Sequence, residues 1–265
     1  MSDFDFHFEI SDDGVAVLTL DRPDTLNSLT FDVYGQLERL FVDLQTDDRV
    51  RALVLTGRGK GFCSGGSVDE IIGPLLTRDL AGTLAFTRMT GAVVRNMLRL
   101  EKPVVAAING VAAGAGAVLA LASDLRVMSA QAKFAFLFTK VGLTGADMGA
   151  AWLLPKIIGT GRAMEHLTLG DKIPADECLR IGLANRVTAP DEVLDEALTL
   201  ARRLAAGPGL AIGMTKKMVW NEWPMDLDAA IEQEAQAQAL LLRARDHREF
   251  YDAWNEGRAP KFEGK

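Results

Sequence analysis

The stretch GLTGADMGAAWLLP, residues 142–155, sets a single carboxylate in a run of small and apolar residues. Asp147 is followed by Met148, Gly149, two alanines and Trp152. Two roles suit such a residue. Placed directly before a helix, an aspartate caps the first turn by accepting a backbone N–H, a contribution of about 1 kcal/mol. Aimed into a dry pocket, it is a proton-transfer group, because desolvation lifts a carboxyl pKa toward neutrality.

Two glycine-rich stretches offer complementary chemistry. FCSGGSVDEI (62–71) and AAGAGAV (112–118) each lie between an apolar run and a helical pattern. At such a corner the backbone N–H groups lack carbonyl partners and can point at an anion. If the two corners are neighbours in space, one amide from each could hold a single thioester or carbonyl oxygen as it gains charge. Each donor then contributes roughly 3 kcal/mol in the transition state. Close backbone packing at tight turns is the plainer use of the same glycines.

Other chemistries fit poorly. GAGAVL imitates a dinucleotide-binding G-x-G-x-x-G, but Leu119 occupies the third glycine position and Asp124 comes too early for a ribose contact. The only histidines are His7, His166 and His247, which argues against a Ser-His-Asp or Cys-His enzyme. GFCSGG does not have the spacing of a nucleophile elbow, and no set of side chains has metal-ligand spacing.

These residues must be positioned by an alternating framework. FHFEI and VAVLTL flank the turn residues SDDG and predict a hairpin. Thr30 is placed to cap a helix running through LTFDVYGQLERLFVDLQ. ALVLTG (52–57), PVVAAING (103–110) and DLRVMSA read as buried strands, with a long helix expected from Leu80 to Leu100 and an apolar one in GAVLALA. Strand, glycine loop, helix, strand is an α/β order. From about Pro190 the strand signal stops. Three helices are expected there, broken at Gly207-Pro208 and at Pro224, with GRAPKFEGK as an irregular basic tail. The chain therefore divides into an α/β core over residues 1–190 and a helical C-terminal subdomain over 191–265 that would serve oligomerisation.

With 265 residues, 48% hydrophobic and 25% charged, the chain can bury a full core. A net charge of −7 excludes a broad nucleic-acid surface, so any phosphate must be met by a few local cations and amides. Cys63 and Cys178 are far apart and suit a reducing compartment, and the acidic N-terminal stretch lacks a signal-peptide pattern. No run approaches the ~20 apolar residues of a membrane span. A cytoplasmic protein without membrane partners is expected.

At this point the residues match a known family. FCSGGSVDEI resembles F-C-A-G-A-D-L, and KPVVAAINGVAAGAGAVLALASDLRVMS resembles K-P-x-I-A-A-I-N-G-x-A-x-G-G-G-x-x-L-A-x-x-C-D-x-R-x-A. LPKIIGTGRAMEHLTLGDKIPADECLRIGLANRV is similar to the L-P-R-x-x-G-x-x-x-A-x-E block of the same family. The family is the crotonase superfamily, the enoyl-CoA hydratase/isomerase family, and the likeness runs in order from about Val15 to the C-terminus.

The resemblance implies an α/β spiral of β-β-α turns with a helical C-terminal part used in homotrimers, often paired into hexamers. It implies an acyl-CoA thioester as substrate, no prosthetic group, and a thioester oxygen held by the amides of Gly66 and Ala115. Arg22, Leu26 and Ser64 fall where the family contacts the pantetheine and nucleotide parts of coenzyme A, alongside Gly66. Lys261 and Phe262 fall where a neighbouring subunit meets the adenine.

Two positions depart from the pattern. The glutamates with which the hydratases hold water fall on Val118 and Phe138, so the two-glutamate mechanism does not carry over. Asp147 lies where dienoyl-CoA isomerases and aromatic acyl-CoA dehalogenases place an aspartate, and Glu70, with Asp69 beside it, is the other acid within reach. Double-bond isomerisation with Asp147 as acid and base is the expected reaction. Hydration at a different water site, thioester hydrolysis, a dehalogenase-like hydrolysis and a catalytically inactive acyl-CoA-binding subunit are the alternatives. Phe136, Phe138 and Trp152 would suit a bulky or aromatic acyl group.

Overall fold

The computed structural model describes residues 4–264. The expected hairpin forms from β1 (Phe6–Ile10) and β2 (Val15–Leu20), antiparallel with Phe6 opposite Leu20. The Phe31–Asp43 helix follows, and Thr30 caps it by accepting the Val33 N–H at 3.2 Å.

The chain then lays down strands in pairs: β3 (Ala52–Gly57) with β4 (Gly61–Cys63), β5 (Val104–Ile108) with β6 (Val111–Ala113), and β7 (Leu125–Ser129) with β8 (Lys133–Ala135). The first strand of each pair enters one sheet and the second enters another. With β9 (Ile173–Pro174) and β10 (Arg186–Thr188), the sheets run β1-β2-β3-β5-β7-β10 and β4-β6-β8-β9. Helices follow each pair: Leu80–Arg99 after β4, Ala115–Ala122 after β6, and Ala150–Ile158 with Thr160–Leu169 after β8. This is the α/β spiral of β-β-α turns. The strands of the small sheet have only two or three residues and lie inside glycine-rich text, too short for any periodicity to show. They exist because a neighbouring strand supplies the ladder, parallel for β4, β6 and β8 and antiparallel between β8 and β9.

Both faces of the large sheet are covered, which is why its strands read as unbroken apolar runs. Leu53, Leu55, Ala106 and Ile108 point into the main core. Their alternates Ala52, Val54, Val105 and Ala107 pack against Val193, Ala197, Leu200 and Ala201 of the Val193–Ala205 helix. The first helix beyond residue 190 thus clothes the sheet.

The remaining helices are Gly209–Asn221, Leu227–Leu241 and Arg245–Glu256. The third expected helix, unbroken from Leu227 to Trp254, is therefore two. The chain turns at Arg243 and Ala244, whose N–H groups reach back to Leu240 and Leu241. The break presents the buried Asp246 carboxylate to the N–H groups of Glu263 and Gly264, at 2.7 and 2.8 Å. Arg51 donates to the Phe262 carbonyl at 3.1 Å. The basic tail is irregular as expected, but it is held in place rather than loose.

Lys216 ties the helical part to the core. Its Nζ lies 2.8 Å from the Asp124 carboxylate and donates to the Met97 and Lys102 carbonyls at 3.1 and 3.2 Å. Burial pushes the carboxyl up and the ammonium down, and their mutual attraction opposes both shifts. Removing one partner strands a buried charge. Lys216→Met should cost about 3–5 kcal/mol in urea unfolding at neutral pH, with part recovered in the double variant carrying Asp124→Asn.

Candidate active site

The two glycine corners meet because β4 and β6 are parallel neighbours, with Gly61 opposite Val111 and Cys63 opposite Ala112. A Cβ on Gly65 would sit 3.1 Å from the Ala113 carbonyl and 3.4 Å from the Ala115 nitrogen, and Gly65 holds a φ of +101°. At the helix start the fit is closer still, since a Cβ on Gly116 would lie 2.3 Å from the Cys63 carbonyl oxygen.

The same arrangement frees two donors. Leu29 bridges Gly66 in parallel: its N–H goes to Gly65 O at 2.8 Å and its carbonyl accepts from Ser67 N at 2.9 Å. A residue bridged through its two neighbours turns its own N–H the other way. Ala115 opens its helix, so its N–H has no carbonyl one turn earlier. Among the described residues neither N–H finds a backbone or side-chain acceptor. Two unpaired amides on touching turns can hold one oxygen as negative charge develops on it.

Asp147 does not cap the following helix, which overturns that alternative. The helix starts at Ala150 behind Gly149, and no side chain caps it. Met148 (φ +50°) and Gly149 (φ +93°) are both left-handed, and they turn the chain so that the Asp147 carbonyl takes the Ala150 N–H at 2.8 Å. The carboxylate is left half-buried, and among the described residues it accepts only from Met148 N–H at 2.9 Å. Desolvation raises its pKa, with that one backbone bond opposing.

Glu70 is held differently. It pairs with the Arg22 guanidinium and accepts from Ser67 Oγ at 3.1 Å, and these contacts keep its carboxyl below the usual range. Asp69 is exposed in the same first turn. Arg22, Leu26, Ser64 and Gly66 are brought together at one rim. Ser64 N–H donates to Leu26 O at 2.9 Å, and its Oγ donates to Thr25 O at 2.8 Å. Lys261 and Phe262 lie instead on the docked tail, where Phe262 helps line a hollow of about 300 Å³ with Pro208, His247 and Phe250.

Val118 is fully buried one turn into the Ala115–Ala122 helix, and Phe136 and Phe138 are both buried, Phe136 stacked on Phe134. Trp152 is half exposed beside a hollow of about 490 Å³ shared with Val94, Met148 and Trp220. Its indole lies under Lys156 Nζ, 3.9 Å from the ring centroid. Phe136 and Phe138 thus belong to the interior, and Trp152 to an open wall.

Two site-forming residues had no flag in the sequence. Asn27 is buried and left-handed (φ +59°), with its amide donating to the Arg58 and Gly61 carbonyls at 3.0 and 2.7 Å. It fixes the rim to β4, and an asparagine in a turn was the available hint. Tyr34 is buried beneath the aspartate loop, its hydroxyl 3.9 Å from Met148 Sδ. Both thiols are buried with pKa values pushed up to about 12, which removes them as nucleophiles. Among the described residues no cluster of side chains could hold a metal. No described helix is long and apolar enough to cross a membrane.

The fold is a spiral of β-β-α turns with two amides, unpaired among the described residues, at adjacent corners. The family description Enoyl-CoA hydratase/isomerase matches residues 11–265, and the chain belongs to that family, the crotonase superfamily. It is 38% identical over 253 residues to 1,2-epoxyphenylacetyl-CoA isomerase of Escherichia coli, covering 95% of this chain and 96% of that one. It is 34% identical to (E)-benzylidenesuccinyl-CoA hydratase of Thauera aromatica, covering 94% and 96%. Among solved structures, a Streptomyces coelicolor A3(2) protein provisionally named an enoyl-CoA hydratase superposes with a TM-score of 0.97 at 52% identity, over 100% of this chain and 96% of that one. The protein is an acyl-CoA enzyme of the enoyl-CoA hydratase/isomerase type.

The closest fit between the corners generates a test. Gly116→Ala forces β4 away from the helix, at a cost of about 1–3 kcal/mol, and should lower the melting temperature and the turnover of acyl-CoA thioesters together. Gly161→Ala, whose added Cβ meets nothing within 4 Å, should leave both unchanged.

Proposed function

We propose that this enzyme isomerises a carbon–carbon double bond in an acyl-CoA thioester, with Asp147 moving the proton. The observation that carries the reading is a half-buried carboxylate, paired with no cation among the described residues, in a fold that also frees two adjacent amides. Asp147 in its ionised form removes a proton from the acyl chain. The electrons move onto the thioester oxygen, which the N–H groups of Gly66 and Ala115 hold as an enolate. The protonated Asp147 then returns the proton at a different carbon, restoring the thioester carbonyl. One acid suffices for this cycle, whereas two-glutamate hydration needs carboxylates where this chain has Val118 and Phe138.

Coenzyme A would lie over the rim of Arg22, Leu26 and Ser64, with Lys261 and Phe262 reaching the adenine of a neighbouring subunit. Leu227, Leu240, Leu242, Tyr251 and Trp254 are largely exposed on the last two helices, which supports burial of that face in a homotrimer or hexamer. An aromatic acyl group is favoured by the two relatives, whose names specify phenylacetyl and benzylidenesuccinyl thioesters.

The experiment is a panel of aliphatic and aromatic enoyl-, dienoyl- and epoxyacyl-CoA thioesters followed by product mass. New chromatographic peaks of unchanged mass from the enoyl or dienoyl thioesters support the reading, whereas an isomer formed from the epoxyacyl thioesters alone would replace it with epoxide isomerisation. Products heavier by one water, or free coenzyme A, would replace it with hydration or hydrolysis. Asp147→Asn should lower turnover about 10²–10⁴-fold. Because the base must be ionised, activity should rise with pH along an acid limb lying above the ordinary aspartate value. A raised native pKa also means that the Asp147 contribution to stability is present at low pH and is lost as pH rises through that value. Asp147→Asn should therefore melt higher than wild type at neutral pH.

A further inference from the structure

Tyr34 stands one turn into the Phe31–Asp43 helix with its side chain 2% exposed. Its ring meets Phe86 edge-on at 5.7 Å, and Phe86 in turn meets Phe31 at 5.0 Å. Packing accounts for the ring but not for the hydroxyl. Among the described residues its only hydrogen-bond partner is Met148 Sδ at 3.9 Å. A thioether is a weak acceptor, and a buried phenol without a strong one loses stability that phenylalanine would keep. The residue whose sulfur it touches is itself strained, left-handed at φ +50°, and directly follows the aspartate. Met148 N–H already holds one Asp147 oxygen at 2.9 Å, so the carboxylate and the phenol both contact a single residue. The other Asp147 oxygen has no partner among the described residues.

We propose that Tyr34 is a positioning residue, whose hydroxyl leaves the Met148 sulfur and donates to the Asp147 carboxylate when that carboxylate is ionised. The inference rests on the reading of Asp147 as the proton carrier. It adds what selects the carboxylate rotamer and limits how far burial raises its proton affinity. The electrostatic surroundings agree: Asp147 and Cys63 both disfavour ionisation of the phenol, as expected of near neighbours, after burial itself. The titratable and charged groups packed around the pair are few. Cys63 faces it from β4, Arg95 and Arg99 border the hollow from the Leu80–Arg99 helix, and Lys156 on the Ala150–Ile158 helix is engaged by Trp152. Neither burial nor the Met148 amide alone gives the ionised form a second donor.

The test reads the carboxyl directly. In protein labelled with ¹³C at the aspartate carboxyl, the Asp147 resonance is identified by its loss in Asp147→Asn and titrated with pH. Tyr34→Phe should move its midpoint up by roughly half a unit or more, since a donor to the charged form is removed. Its melting temperature at acid pH should be unchanged or higher. The acid limb of turnover should shift in the same direction, with kcat falling more than KM rises. A 3-fluorotyrosine protein, in which the only other tyrosine is the exposed Tyr251, strengthens the donor and should move the midpoint down. That measurement decides the matter even where Tyr34→Phe fails to fold. Midpoints that coincide across the variants would reduce Tyr34 to a packing residue. Full turnover by Asp147→Asn would instead overturn the proton-carrier reading, and the titration would still report on the Tyr34 contact.

Discussion

The site depends on one backbone constraint, the parallel pairing of β4 with β6. Each strand has three residues and would not persist alone. Set side by side, with Ala115 closing onto Gly65, they bring two corners from different turns of the spiral into van der Waals contact. That contact leaves no room for a methyl at Gly116, and it directs two N–H groups away from every described acceptor. An amide in such a place costs stability in the resting protein. In the proposed reaction it becomes favourable when an oxygen bearing charge arrives, which is the sense in which a preorganised dipole acts on a transition state and not on a ground state.

The rest of the molecule maintains that contact. The large sheet is buried on both faces, by the main core on one side and by the Val193–Ala205 helix on the other. Asn27 hydrogen-bonds β4 to the rim, and Lys216 with Asp124 pins a C-terminal helix to the start of β5. The tail is fixed by Asp246 and Arg51. Stability and chemistry are therefore spatially divided. Charges tied in pairs hold the frame, while Asp147, the proposed proton carrier, is paired with no cation among the described residues.

The likeness to an isomerase and a hydratase, both on coenzyme A thioesters, is consistent with a frame shared among reactions. What distinguishes reactions on such a frame is the set of acids aimed at the acyl chain. Here Glu70 is drawn to Arg22 and held ionised, so its readiness to exchange a proton near neutrality is low. Asp147 is desolvated instead, which raises its pKa, the direction that the proposed proton transfer needs.

Much of this was legible in the residues themselves. β1, β2 and β3 fall on FHFEI, VAVLTL and ALVLTG, and the Thr30 cap is where the pattern placed it, because hydrophobic period and capping chemistry are local properties. The glycine corners were visible for the same reason, and the motifs identified the family. Three things were decided only in the folded chain. The small sheet is invisible in text because its strands are stabilised by partners distant in the chain, as Gly61 is by Val111 and Lys133 by Pro174. The split of the last long helix follows from Asp246 receiving the tail, a contact between distant segments. The orientation of Asp147 follows from left-handed backbone at Met148 and Gly149, which turned an apparent helix cap into a free carboxylate with Tyr34 behind it. Sequence patterns report what each segment prefers alone, whereas burial and the direction of a donor or carboxylate arise from which segments meet.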